Sequence, residues 1–194
     1  MSTAANSAID IVSRALVLIG AEPITSFTEN TTEALVANNM YEDAVRTSLS
    51  TARWRFATQQ ATLAQLASDP TGRFNVAHQL PSDLLVLHAI TVNDNLLNYT
   101  VYGDKVFSDA TDTDVVIADY TFRQTETNFP SYFTLAVEYS LASIFATAIA
   151  RSTTLTQLMT AKAEQMMAKA RNLDAQQQTT RKLVTSRFIT DRRS

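Results

Sequence analysis

The sequence predicts an α+β protein, mainly α: a helical bundle with an inserted small antiparallel β-meander and an extended C-terminal tail. Three observations carry that reading. Apolar residues recur at steps of three and four near the start and again after Pro130, the period of a helix with a buried face. Between those stretches, β-branched and aromatic runs are punctuated by Asn93-Asp94-Asn95 and Gly103-Asp104, which is turn chemistry. After Gln176 the helical stripe is gone.

The first helix is expected from about Asn6 to Ile19, with Ala8, Ile11, Val12, Ala15, Leu18 and Ile19 on its apolar side. Gly20 can take the left-handed conformation that closes a helix, and Pro23 cannot continue one. Ile24 and Phe27 can then pin the exit loop back onto that helix. Thr31 or Thr32 caps a second helix, with Ala34, Ala37, Tyr41, Ala44, Val45 and Ser48 on one face, running to about Arg53. Pro70, Gly72 and Pro81 mark turns. Then "LLVLHAITVN", "LLNYTVYG", "DKVFSD" and "DVVIADYTFRQ" read as strands. Short connections between successive strands imply an antiparallel meander.

From Tyr132 to Ala150 a third helix is apolar on several faces and so is expected to be buried on several sides. Its length matches a membrane span, but Glu138, Thr134, Ser140, Ser143 and Thr147 argue against one. A last helix carries Leu155, Met159, Ala163, Met166, Ala170 and Leu173 and fades in "AQQQTTR". One domain over 1–194 is expected: a bundle from 6–60 and 129–181, a β-rich insertion at 61–128, and a tail at 182–194. The flanking helices can form one bundle that needs no second hydrophobic core.

The chain has 194 residues, of which 45% are hydrophobic and 18% charged, a globular composition able to bury a core. It contains no cysteine, which excludes disulfides and thiolate metal sites. "MSTAANSAID" lacks the charged start and apolar core of an export signal. Net charge is −3, unevenly spread. Acids dominate from Ala61 to Asn128, where Asp69, Asp83, Asp94, Asp104, Asp109, Asp112, Asp114, Asp119 and Glu126 face only Arg73, Lys105 and Arg123. Beyond Gln176 the sign reverses, with Arg181, Lys182, Arg187, Arg192 and Arg193 against Asp191.

No motif in the chain nominates a reaction. His78 and His88 are the only histidines and have no partner at metal-ligand spacing. "DATDTD" has carboxylates but lacks the turn glycine and distal glutamate of a calcium loop. Three glycines leave no phosphate cradle, and no nucleophile elbow is present. Catalytic, cofactor and metal residues are therefore expected to be none. The basic tail with Phe188 fits either a partner's sheet edge or a nucleic-acid strand; a sequence pI near 5.3 opposes a duplex-binding footprint. Trp54, between Arg53 and Arg55, is either a core anchor or an interface residue, since Trp and Arg are enriched at hot spots.

The succession "ALVLIGAEPITSF", "ALVANNMYEDAVRTSLSTARWRFA", "QLPSDLL", "YTVYGDKVFSDA" and "FPSYFTLAVEYSLASIFATAIA" resembles the tail tubular protein A family, the head-to-tail adaptors of short-tailed bacteriophages. The resemblance runs from roughly Ser7 to Arg171. It implies a non-enzymatic virion protein, without cofactor, at the head-to-tail interface and in the host cytoplasm during assembly. Twelve copies would form a ring below the portal protein, extend the duct for double-stranded DNA, and support the nozzle, tail tubular protein B, with fibres or spikes at the rim and no membrane partner. It also implies that a C-terminal segment docks on the portal, here Arg181, Lys182, Leu183, Val184, Arg187, Phe188 and Ile189. The Gly20, Pro23 and Ile24 turn would set the wedge angle of each subunit. The alternatives are an adaptor or stopper of a long-tailed phage and a small nucleic-acid-binding module using the basic tail.

Overall fold

A computed structural model describes residues 5–67, 70 and 72–177. Among the described residues, four helices and eight short strands follow one another in the order helix, helix, strands, helix, helix, giving the α+β class expected.

Local sequence sets each helix boundary. Helix α1 spans Ala8–Leu18 and opens with a reciprocal cap: Asp10 N donates to Ser7 Oγ at 3.1 Å, and Ser7 N donates to Asp10 Oδ2 at 3.2 Å. This pairing satisfies amides that the first turn leaves without intrahelical acceptors. Helix α2, Thr32–Ser50, is capped by Thr31, whose hydroxyl accepts from Ala34 N at 3.2 Å. Helix α3, Ser131–Ala148, starts directly after Pro130. Helix α4, Thr153–Gln176, is capped by Ser152.

Helix α3 is the centre of the bundle and packs on each of the other three helices. That is why Phe133, Ala136, Val137, Leu141, Ala142, Phe145 and Ala146 are all buried, and why its apolar residues are not confined to one stripe. The helical core continues into Ile11, Val12 and Leu16 of α1 and Ala37, Val45 and Leu49 of α2.

The strands form two antiparallel sheets of four. The first has the order β1 (Thr58–Thr62), β8 (Val116–Phe122), β4 (Leu84–Val92), β5 (Asn95–Leu96). The second has the order β2 (Ala64–Gln65), β3 (Val76–Gln79), β7 (Lys105–Ser108), β6 (Tyr99–Tyr102). Pairing is antiparallel as expected, but only partly sequential. The β4–β5 hairpin turns over Asn93 and Asp94, at φ 50° and 63°, the backbone a tight hairpin demands. The first strand, however, pairs with the last, Thr58 opposite Thr121. The run "LLNYTVYG" divides into β5 and β6, which lie in different sheets. A simple meander is thus replaced by two sheets closed by long-range pairs.

A second correction follows from that topology. Leu63, Val76, Leu80, Ile90, Val106, Val116, Ala118 and Tyr120 form a hydrophobic cluster of their own. Both sheets contribute to it, because two facing sheets bury their inner faces on each other. The β-rich part therefore does carry its own core.

Candidate assembly surfaces

Four features of the described residues are shaped or charged enough to act on a partner. They are the turn after α1, the junction between bundle and sheets, a groove between helices, and a cleft beside α3.

At the turn, Gly20 has φ 75°, and two bonds cross over it: Gly20 N to Val17 O and Ala21 N to Leu16 O, both 3.0 Å. This left-handed helix ending suits glycine because no Cβ is strained there. The loop then returns to its helix. Ser13 Oγ donates to Ile24 O at 2.7 Å, Ile24 is buried, and the Phe27 ring meets Tyr41 of α2 at 5.9 Å. Pro23 itself is exposed.

At the junction, Trp54 is fully buried. Its Nε1 donates to Ser48 O at 3.0 Å, and its ring stands edge-on to Phe133 at 5.0 Å. Phe56 and Phe129 complete an aromatic cluster. The chain enters the sheets beside Trp54 and leaves them beside Phe129, so one cluster clamps both crossings. Trp54 belongs to the core of its own chain, and its ring offers nothing to a neighbour. Arg53 pairs with Asp119 of β8. Arg55 donates from its backbone N to Asp174 Oδ2 and from Nε to Asp174 O, both at 3.1 Å. Tyr132 Oη donates to Asp174 Oδ1 at 2.9 Å. Burial, then the Asp174 carboxylate, pushes the Tyr132 phenol up to about 12.

A second tie joins α2 to the end of β8. Arg123 Nη2 reaches Glu42 Oε2 at 2.9 Å and Glu126 Oε1 at 2.6 Å, and Tyr41 Oη donates to Glu126 Oε1 at 3.1 Å. The hydrogen-bonded guanidinium holds the Glu42 carboxyl below its ordinary range. Burial raises the Tyr41 phenol well above its usual value, and the Glu126 charge adds to it.

The groove between α2, α3 and α4 has a volume of about 490 Å³ and is lined by residues that include Met40, Thr47, Ile144, Ala163, Met167 and Arg171. A further hollow bounded by Val36, Asn39 and Ala148 adjoins it and shares Met40 and Ile144. The cleft beside α3 is smaller and holds Glu138, 6% exposed, with Arg14 Nη1 at 3.7 Å from its Oε1. Burial raises the Glu138 carboxyl above its ordinary value despite Arg14. In the sequence Glu138 speaks only against a membrane span; its burial depends on α1 packing on α3, which has no local signal.

The other sequence candidates are placed as follows. His78 is buried in β3, and His88 Nε2 lies 2.8 Å from Thr121 Oγ1; burial lowers both. Asp94, Asp104, Asp109 and Asp112 are exposed around the hairpin tips. Among the described residues no cluster of metal ligands occurs, and no helix is long and apolar enough to cross a membrane. Arg181, Lys182, Leu183, Val184, Arg187, Phe188 and Ile189 lie outside the described residues.

The clefts and the ion pairs that tie the bundle to the β-rich unit bring together no constellation of catalytic or metal-ligating groups among the described residues. Comparison with known families agrees: the family model described as "Tail tubular protein" matches residues 8–183. The chain belongs to the phage tail tubular protein family and is a structural component of the virion tail. No curated protein is matched.

Proposed function

We propose that this tail tubular protein is the head-to-tail adaptor of a short-tailed phage. Copies, twelve by the family resemblance, form a ring below the portal, continue its channel for double-stranded DNA, and present a platform to the nozzle, tail tubular protein B. Fibres or spikes attach at the periphery. The chain makes and breaks no bonds, needs no cofactor, and functions by assembly.

The observation that carries this reading is the family match over 8–183, on a chain whose helical bundle bears a β-rich insertion. In this reading 6–60 and 129–181 form the bundle, 61–128 the insertion, and 182–194 the docking tail. The aromatic clamp and the Arg53 and Arg123 ion pairs support it by holding the insertion at a set angle to the bundle. A ring closes only if every copy has the same angle. The exposed aspartates of the insertion favour a channel wall that repels phosphates and lets DNA slide. The tail, with two apolar pairs among cations, is the portal-docking segment.

The test is imaging of the purified chain mixed with portal rings. The expected outcome is a second ring capping the narrow end of the portal, lost when 182–194 is deleted. A chain that stays monomeric and leaves the portal bare would overturn the reading.

A further inference from the structure

The cleft between α1 and α3 holds a carboxylate that the described residues leave incomplete. The Glu138 side chain is more than nine-tenths buried, and among the described residues its Oε1 has no hydrogen-bond partner. Arg14 stands 3.7 Å away, near enough to attract but too far for a hydrogen bond. A buried carboxylate in that state is costly unless a donor completes it. The cleft is open to the outside and lined by residues that include Asn6, Ser131, Thr134 and Leu135, so a donor can enter from another molecule.

A separate surface of the bundle, on α4, carries the complementary groups. Helices α1 and α4 both pack on α3 and hardly touch each other. Along α4, Leu158, Lys162, Gln165, Lys169 and Leu173 are all exposed and spaced by four, three, four and four. That spacing puts them in one row on the helix surface. Two lysines are thus bracketed by two leucines. On the α1–α3 flank Leu135, 42% exposed, lines the Glu138 cleft, and Val17, 60% exposed, lies about one helical turn beyond Arg14.

Building on the adaptor reading, we propose that the outer row of α4 in one copy lies against the α1–α3 flank of the next. A lysine of that row, Lys162 or Lys169, enters the cleft and hydrogen-bonds Glu138, while Leu158 and Leu173 cover Val17 and Leu135. The two patches differ, so the contact is head-to-tail and repeats around an axis instead of stopping at a pair. A lysine suits a narrow cleft because it is a compact charge with three donors on a flexible stem. The raised protonation range of Glu138 in the lone chain is what a carboxylate awaiting its cation should display.

The test is zero-length carbodiimide coupling, which joins a carboxylate to an amine only at contact distance. It is applied to the purified chain and to its complex with portal rings, using a mixture of light and heavy isotope-labelled chains. The expected product is an inter-chain peptide linking Glu138 to Lys162 or Lys169. Glu138→Gln, and separately the double variant Lys162→Ala with Lys169→Ala, should each weaken self-association at least tenfold. The double variant alters only exposed side chains on a helix, so its folding is not at issue. Assembly with undiminished affinity in both variants, or coupling of Glu138 to other residues only, overturns this contact and leaves the adaptor reading standing. A chain that neither self-associates nor binds the portal overturns both.

Discussion

Two buried carboxylates sit in the same bundle, one beside the start of α3 and one at its middle, and are treated in opposite ways. Asp174, 4% exposed near the end of α4, accepts hydrogen bonds at both oxygens, from Tyr132 and from the Arg55 backbone. Glu138, 6% exposed in the middle of α3, has one oxygen without a donor among the described residues. Burial is the same; satisfaction is not. A carboxylate with every acceptor used fixes the fold, because removing it strands the donors around it. One that is left short costs the lone chain stability when it is charged, and its worth lies in what it meets afterwards. The Asp174 end is architecture, and the Glu138 flank is contact surface.

The largest effects should fall on the architectural side. Trp54→Ala removes the ring that clamps both crossings into the sheets and should cost about 4 kcal/mol in denaturant unfolding. A loss below about 1 kcal/mol would mean that Trp54 is not the core anchor its burial makes it. Asp174→Ala strands Tyr132 Oη and Arg55 N and should cost about 3 kcal/mol. It should also free the end of α4, seen as faster amide exchange over its last two turns. Slow exchange there would show that Asp174 is dispensable to the bundle.

An intermediate effect is expected at the turn after α1. Nothing lies within 4 Å of a Cβ built on Gly20, so a side chain meets no steric block, only the penalty of a left-handed backbone. Gly20→Val should therefore destabilise by about 2 kcal/mol without damaging the core. If Gly20 also sets the wedge angle, rings of this variant should close imperfectly in micrographs. Intact rings from a destabilised chain would separate the two roles and remove the angular one.

How far the sequence revealed this comparison depends on the reach of each interaction. Thr31 and Gly20 act within four residues, and the helix limits they set were legible; the caps Ser7 and Ser152 act over the same reach but emerge only with the structure. So were the turns at Asn93-Asp94 and Gly103. Strand β1 was not, because "TQQAT" has no alternating apolar pattern and owes its existence to β8, with Thr58 paired to Thr121. Val76–Gln79 is too short to show a period, and it is held by Lys105–Ser108 far along the chain. Trp54 left two readings open, since its burial is decided by Phe129 and Phe133. The two carboxylates were equally hidden: nothing beside Asp174 announces Arg55, and nothing beside Glu138 announces that its donor is missing.

The smallest and most discriminating effect belongs to Glu138, and its sign is opposite to the others. Burial raises the Glu138 carboxyl in the folded chain above its unfolded value, so the native state binds the proton more tightly than the unfolded state. Its contribution is then fully present below the unfolded value and is lost as pH rises through the folded one. Above that range the lone chain carries a buried charge short of a donor. Glu138→Gln removes the charge while keeping the shape, and Arg14 is partly exposed, so its cation stays solvated. The variant should be more stable than the parent by about 1 kcal/mol at neutral pH, and the gap should close as pH falls toward 4. Thermal unfolding across that range checks it. A residue whose replacement stabilises the monomer while weakening its assembly is retained for contact and not for folding. If Glu138→Gln instead destabilises the chain at neutral pH, the Arg14 pair holds the bundle together, and Glu138 joins Asp174 on the architectural side.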